Sequence, residues 1–179
     1  MFSEGDYISY GCNGVCKVEG LTVMNAPGCK EKQQYYVLKP IYQNRGMIYC
    51  PVNANKGQVR RRILTEEESY RLLALMPQLE CIEFENRKDF EEKFKTAMQS
   101  CSCEEWLKII KTLWTEQNLR RRYGKKLTST QERFFKSAKD NLCGELAVSL
   151  DRELFEIERI LKEQLKQNET YPENYSPVS

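Results

Sequence analysis

The feature that most restricts the fold is a change of pattern at Thr65. Before it, short β-forming runs alternate with glycine, proline and asparagine turns. After it, apolar residues recur three and four positions apart, as on the face of a helix. One element cannot follow both periods. The sequence therefore divides into a β-rich first part and a helical second part.

In the first part, Gly5-Asp6 signals a turn, and Tyr7, Ile8, Ser9 and Tyr10 form a short β run. Gly11, Asn13 and Gly14 turn the chain again, Val15 to Val18 begin a second strand, and Leu21 to Met24 continue it past a bend at Gly20. After a loop over Asn25 to Gly28, Gln33 to Leu38 is the clearest strand, with paired tyrosines and β-branched neighbours. Asn44-Arg45-Gly46 precedes a fourth strand, Met47 to Cys50, which Pro51 closes. A turn over Asn53 to Gly57 precedes a fifth, Gln58 to Leu64. Five short strands within residues 1–64 predict a small curled barrel of the SH3 or Tudor kind, close to the lower size limit for folding alone.

The second part is punctuated by helix caps. Thr65-Glu66-Glu67-Glu68 has the form of a capping box, opening a helix through Leu75 that Pro77 ends. Asn86 caps a second helix, with Phe90, Phe94, Ala97 and Met98 on one face. Ser102-Cys103-Glu104-Glu105 reads as another box, before a helix containing Trp106, Ile109, Ile110, Leu113 and Trp114 that Gly124 terminates. Ser129-Thr130-Gln131-Glu132 opens a fourth helix, and Asp151 caps a fifth. The whole is an α+β chain: a five-stranded barrel over 1–64, an all-α domain of about five helices over 65–166, and a polar, disordered tail over 167–179.

The function classes narrow quickly. Histidine is absent, which removes the usual general base, and there is no nucleophile elbow, P-loop or dinucleotide fingerprint. An enzyme is not expected. The apolar runs fall short of a membrane span and the first residues do not read as a signal peptide, so a cytoplasmic protein with reduced thiols is expected. Cys12-x-x-x-Cys16 and Cys101-x-Cys103 raise the question of zinc. Structural zinc favours paired C-x-x-C knuckles, and Cys16, Cys50, Cys81, Cys101 and Cys143 read as packing thiols. Neither metal nor cofactor is expected.

Net charge is only +2, but it is unevenly spread: +5 over 1–64, −6 over 65–107, +8 over 108–139 and −5 over 140–179. The cationic third is either a nucleic-acid footprint or a solvated helix face. Phe90 also has two readings. It is a core position, or an apolar wedge near a helix end that inserts against DNA bases.

Several motifs resemble one family. F-x-x-G-D-x-(I/V)-x-Y is met by Phe2, Gly5, Asp6, Ile8 and Tyr10; Gly14-Val15, Tyr35 to Leu38, and Met47 with Pro51-Val52 follow in order. The second part adds Leu113-Trp114, Leu127-Thr128-Ser129 with Glu132, and Gly144-Glu145-Leu146-Ala147. Over residues 1–165 the chain resembles the CarD/CdnL family of bacterial transcription regulators. Its N-terminal module is similar to one in transcription-repair coupling factors, but no helicase motor is present here.

The resemblance implies a Tudor-like module that binds the RNA polymerase β subunit, then a helical domain on promoter DNA at the upstream edge of the transcription bubble. It puts Phe90 where the family carries a wedge tryptophan, and Met24 and Tyr49 where basic polymerase contacts stand. Phenylalanine keeps an apolar plate but lacks the indole N–H. The expected polymerase-binding residues are Met24, Ile48, Tyr49 and Cys50. The expected DNA-binding residues are Phe90, Lys93, Lys95, Arg120, Arg121, Arg122, Lys125 and Lys126, contacting phosphates largely without regard to sequence. The expected protein is a monomer that modulates open-complex stability. The alternative is a protein-interaction adaptor that does not bind DNA.

Overall fold

The computed structural model describes residues 1–25, 32–42, 46–53 and 60–167. The chain forms two compact units, Met1–Ile63 and Leu64–Ser179.

The first unit is a five-stranded antiparallel sheet: β1 Tyr7–Tyr10, β2 Val15–Asn25, β3 Lys32–Pro40, β4 Ile48–Pro51 and β5 Arg60–Arg62. The strand order is β4-β3-β2-β1-β5. A short 3-10 turn, Gly11–Asn13, joins β1 to β2. Between Val18 and Gly20 the register against β3 slips, leaving Glu19 as the extra residue of a bulge. Gly20 sits there at φ +147, a conformation that L side chains rarely adopt. The bend lets one ribbon curl around a small core of Ile8, Tyr10, Cys16, Val18, Tyr36, Leu38 and Cys50, with Phe2, Ile48 and Val52 packed against it.

The sheet is Tudor-like in order, and among the described residues it does not close into a barrel. β5 is three residues long and pairs with β1, while β4 pairs with β3. The two ends are joined by a side chain rather than by a ladder. Arg60 on β5 donates from Nη1 to the Pro51 carbonyl at 2.5 Å and from Nη2 to the Val52 carbonyl, beyond β4. Its guanidinium also lies 5.5 Å from the Tyr36 ring centre and donates to Cys50 Sγ at 3.2 Å. The expected turns over residues 26–28, 44–45 and 54–57 lie outside the described residues.

The second unit contains α1 Glu66–Leu75, α2 Arg87–Gln99, α3 Cys103–Arg122, α4 Ser129–Ser149 and α5 Leu154–Gln167. The Thr65 capping box forms in full with Glu68, and Asn86 accepts from the Lys88 and Asp89 amides. Three expected caps are corrected. Ser102 precedes α3 but makes no side-chain cap bond. The fourth helix is capped one residue earlier, by Thr128 with Gln131, because Thr128 holds the extended backbone that a cap requires. Asp151 sits at φ 49 in the turn before α5, which starts at Leu154, where the Glu156 carboxylate accepts from the Glu153 amide at 3.2 Å. The tail expected to be disordered lies, from residue 168, outside the described residues.

α3 is the central helix. Trp106, Leu107, Ile109, Ile110 and Leu113 are fully buried, and Lys111 and Thr112 between them are buried as well. A helix covered on all sides needs partners for its polar groups. Lys111 Nζ is satisfied by the turn that follows α1, donating to the carbonyls of Met76, Pro77 and Leu79 at 3.0, 3.2 and 2.7 Å. Glu145, wholly buried on α4, accepts from the Leu64 amide at 2.9 Å and so fixes the point where the second unit begins.

Candidate functional site

The residues expected to meet polymerase divide between the two faces of the sheet. Strand partners share a face, and β3 alternates Gln33, Tyr35 and Val37 on one side with Tyr36 and Leu38 on the other. Met24 pairs with Gln33 and Tyr49 with Val37, so both stand on the face turned away from the core. Tyr49 is half exposed and Met24 partly so. Ile48 and Cys50 pair with Leu38 and Tyr36 and turn inward. Cys50 therefore offers a partner its backbone alone. Among the described residues β4 has a neighbouring strand on one side only, which leaves its outer edge available for main-chain pairing.

The DNA-directed residues of α2 differ in their surroundings. Phe90 does not project past the packed region; it is 4% exposed. Its ring lies 4.1 Å from Phe94, 5.1 Å from Phe84 and 5.7 Å from Phe134, centre to centre. The reason lies in Phe84 and Phe134, which come from outside α2 and roof over the end of its apolar stripe. Phe90 borders a cleft of about 240 Å³ together with Phe84, Arg87, Glu91, Arg120 and the first turn of α4. Lys93 is exposed but engaged, pairing with Asp89 at 2.9 Å and donating to the Glu83 carbonyl at 2.9 Å. That contact, with a bond from the Glu85 amide, holds the Asp89 carboxyl below the usual carboxylate range. Lys95 is exposed on the same helix.

Around the α3–α4 junction the cations separate into one buried and four exposed. Arg120 is buried and pairs with Glu116, also buried, at 2.5 Å, one helical turn away. A buried cation neutralised in this way is part of the framework rather than a phosphate contact. Arg121, Arg122, Lys125 and Lys126 are all exposed. The chain turns between them at Gly124, φ +67, where the Gly124 amide donates to the Arg121 carbonyl and the Lys125 amide to that of Arg120. The helix end, with its partial negative charge, also favours cations here.

Sequence reasoning missed the Arg60 bridge, the Lys111 cap and the Arg120–Glu116 pair. The last had a signal, since glutamate four residues before arginine is the favourable helical spacing. Among the described residues no cluster of three or more potential metal ligands forms, and no helix is long and apolar enough to cross a membrane. Cys16 and Cys50 are buried in the sheet, Cys101, Cys103 and Cys143 in the helical unit, and Cys81 is exposed. Cys29 and the side chain of Cys12 lie outside the described residues.

A curled five-stranded antiparallel sheet of Tudor-like order, followed by five helices, places the chain in the α+β class. Residues 2–63, nearly the whole of the first unit, match the family model described as the CarD-like/TRCF RID domain. The match supports a CarD-like assignment for this unit and, in general terms, interaction with RNA polymerase. Comparison with curated proteins gives no match.

Proposed function

We propose that the chain is a transcription regulator that binds the β subunit of RNA polymerase through its sheet and promoter DNA through its helices. It acts at the upstream edge of the transcription bubble and changes the lifetime of the open complex. The observation that carries the polymerase half is the family match over residues 2–63. What supports the DNA half is four exposed cations, Arg121, Arg122, Lys125 and Lys126, within one helix end and turn. Lys95 is a further candidate. Phe90 and Arg120 receive no DNA contact in this proposal, because both are buried.

The physical logic is tethering. Only Ile63–Thr65 separate β5 from α1, so binding by one unit makes the contact of the other intramolecular. Neither contact then needs high affinity. The domain roles proposed are residues 1–64 for polymerase and 65–166 for DNA, in a cytoplasmic monomer.

The test is a gel shift with promoter DNA at rising salt, with and without polymerase, alongside open-complex lifetimes. The proposal expects DNA retention that falls steeply with salt and strengthens when polymerase is present. Polymerase binding with no DNA contribution at any salt would favour the adaptor instead.

A further inference from the structure

We infer that Tyr123 is a stacking platform for an unpaired DNA base, with the cations around it holding the flanking phosphates. This rests on the DNA half of the function proposed above and names the part of the DNA that this corner takes.

Tyr123 is 63% exposed, a high value for an aromatic side chain. Its neighbours distinguish it from the other exposed aromatics of the helical unit. Tyr70 at 49% follows Glu66, Glu67 and Glu68, and Phe155 at 66% lies between Glu153 and Glu156. Those acidic surroundings repel a phosphate chain. Tyr123 instead follows Arg121 and Arg122 and precedes Lys125 and Lys126, all exposed. An exposed aromatic flanked along the chain by exposed cations matches single-stranded nucleic acid, whose bases stack while its phosphates seek positive charge.

The backbone that carries the ring is held firmly, which lowers the entropy lost on binding. The Tyr123 amide donates to the Arg120 carbonyl at 3.0 Å, and the next two amides donate to the Arg121 and Arg120 carbonyls at 3.1 and 2.9 Å. Arg120 is itself anchored by its buried pair with Glu116. On the other side Leu127 is buried and Thr128 closes the capping box of α4. Between these anchors the corner carries a trough of about 320 Å³ lined by Gln117, Arg121, Lys125, Lys126 and Glu132. Three cations against one carboxylate leave it net positive, suited to a sugar–phosphate backbone crossing the turn that carries Tyr123.

The experiment measures fluorescence anisotropy of the full chain at low salt. The probes are a labelled fork with an unpaired thymidine arm and the matching complete duplex. Tyr123→Ala is expected to weaken binding to the fork roughly five- to a hundredfold, the range that alanine substitution gives for one base–aromatic stack, and to leave duplex binding nearly unchanged. Tyr123→Phe should bind like the parent, since the ring face rather than the hydroxyl makes the contact. Equal fork binding by Tyr123→Ala and the parent would overturn the inference while leaving the DNA reading intact. A parent chain that binds neither probe at low salt, even at protein concentrations up to about 0.1 mM, would overturn both. Because Tyr123 is exposed, unchanged thermal melting of the alanine variant is the check that folding is preserved.

Discussion

Replacing Phe90 by alanine separates its two roles by free energy. Phe90 is buried against Phe84, Phe94 and Phe134, all within about 6 Å. Removing a buried phenylalanine ring costs about 3–5 kcal/mol, combining lost transfer energy with the cavity left behind. The edge-to-face contacts with Phe84 and Phe134 place the cost toward the upper part of that range. For a helical unit of this size, each kcal/mol moves the midpoint by roughly 3–6 °C, so the melting temperature should fall by about 10–30 °C. Both tryptophans, Trp106 and Trp114, lie in the helical unit, so tryptophan fluorescence follows its unfolding without signal from the sheet. Phe90→Leu, which retains much of the volume, should lose less than half as much. A melting temperature within a few degrees of the parent, together with a loss of open-complex stabilisation, would refute the burial argument and restore the wedge.

Three further outcomes follow from buried polar groups. Lys111→Met keeps the length and apolar stem but removes three donors, leaving the Met76, Pro77 and Leu79 carbonyls without their shared cation; a loss of about 2–4 kcal/mol in urea unfolding is expected, and an unchanged midpoint would contradict it. Ser9 Oγ is buried with no hydrogen-bond partner among the described residues, so Ser9→Ala should leave the melting temperature of the sheet unchanged or raise it, and a large fall would reveal a missed partner. Burial pushes the Cys16 thiol up to about 11, with Cys50 adding to the shift, and the Cys143 thiol up to about 12, while a free thiol titrates near 9. Both folded values lie above the unfolded one, so this contribution to stability is complete below about pH 9 and declines as pH rises toward 11–12. Denaturation midpoints should fall through that window, and a disulfide reagent near pH 8 should label exposed Cys81 well before Cys16 or Cys143; simultaneous labelling would count against the burial.

Much of the local structure is legible in the sequence because its causes are local. Thr65 with Glu68, Asn86 and Gly124 mark helix ends through bonds that reach only a few residues, and each acts where its chemistry predicts. Tyr7–Tyr10 forms β1 because β-formers sit between two turns, and Gly20 marks the bend that the bulge requires. The caps that moved show the margin of such reasoning. Ser, Thr and Gln over 128–131 offer neighbouring choices of nearly equal local energy, and the buried position of Gln131 selects the box with Thr128.

What only the tertiary structure decided is which side chains remain for a partner. Phe90 and Phe94 lie one turn apart on α2, and nothing on that helix says whether the stripe ends before Phe90; Phe84 and Phe134, from outside the helix, cover it. Arg120, Arg121 and Arg122 are identical in type and adjacent in sequence. A helix turns about 100° per residue, so the first faces buried Glu116 and the next two face solvent. The curl of the sheet is finished by Arg60 reaching the Pro51 and Val52 carbonyls, a contact set by strand order rather than by any neighbouring residue. Period and caps act within a turn or a strand pair, so sequence by itself determined the elements and their two-part order. Exposure depends on what packs from elsewhere in the chain, and that was decided by the fold.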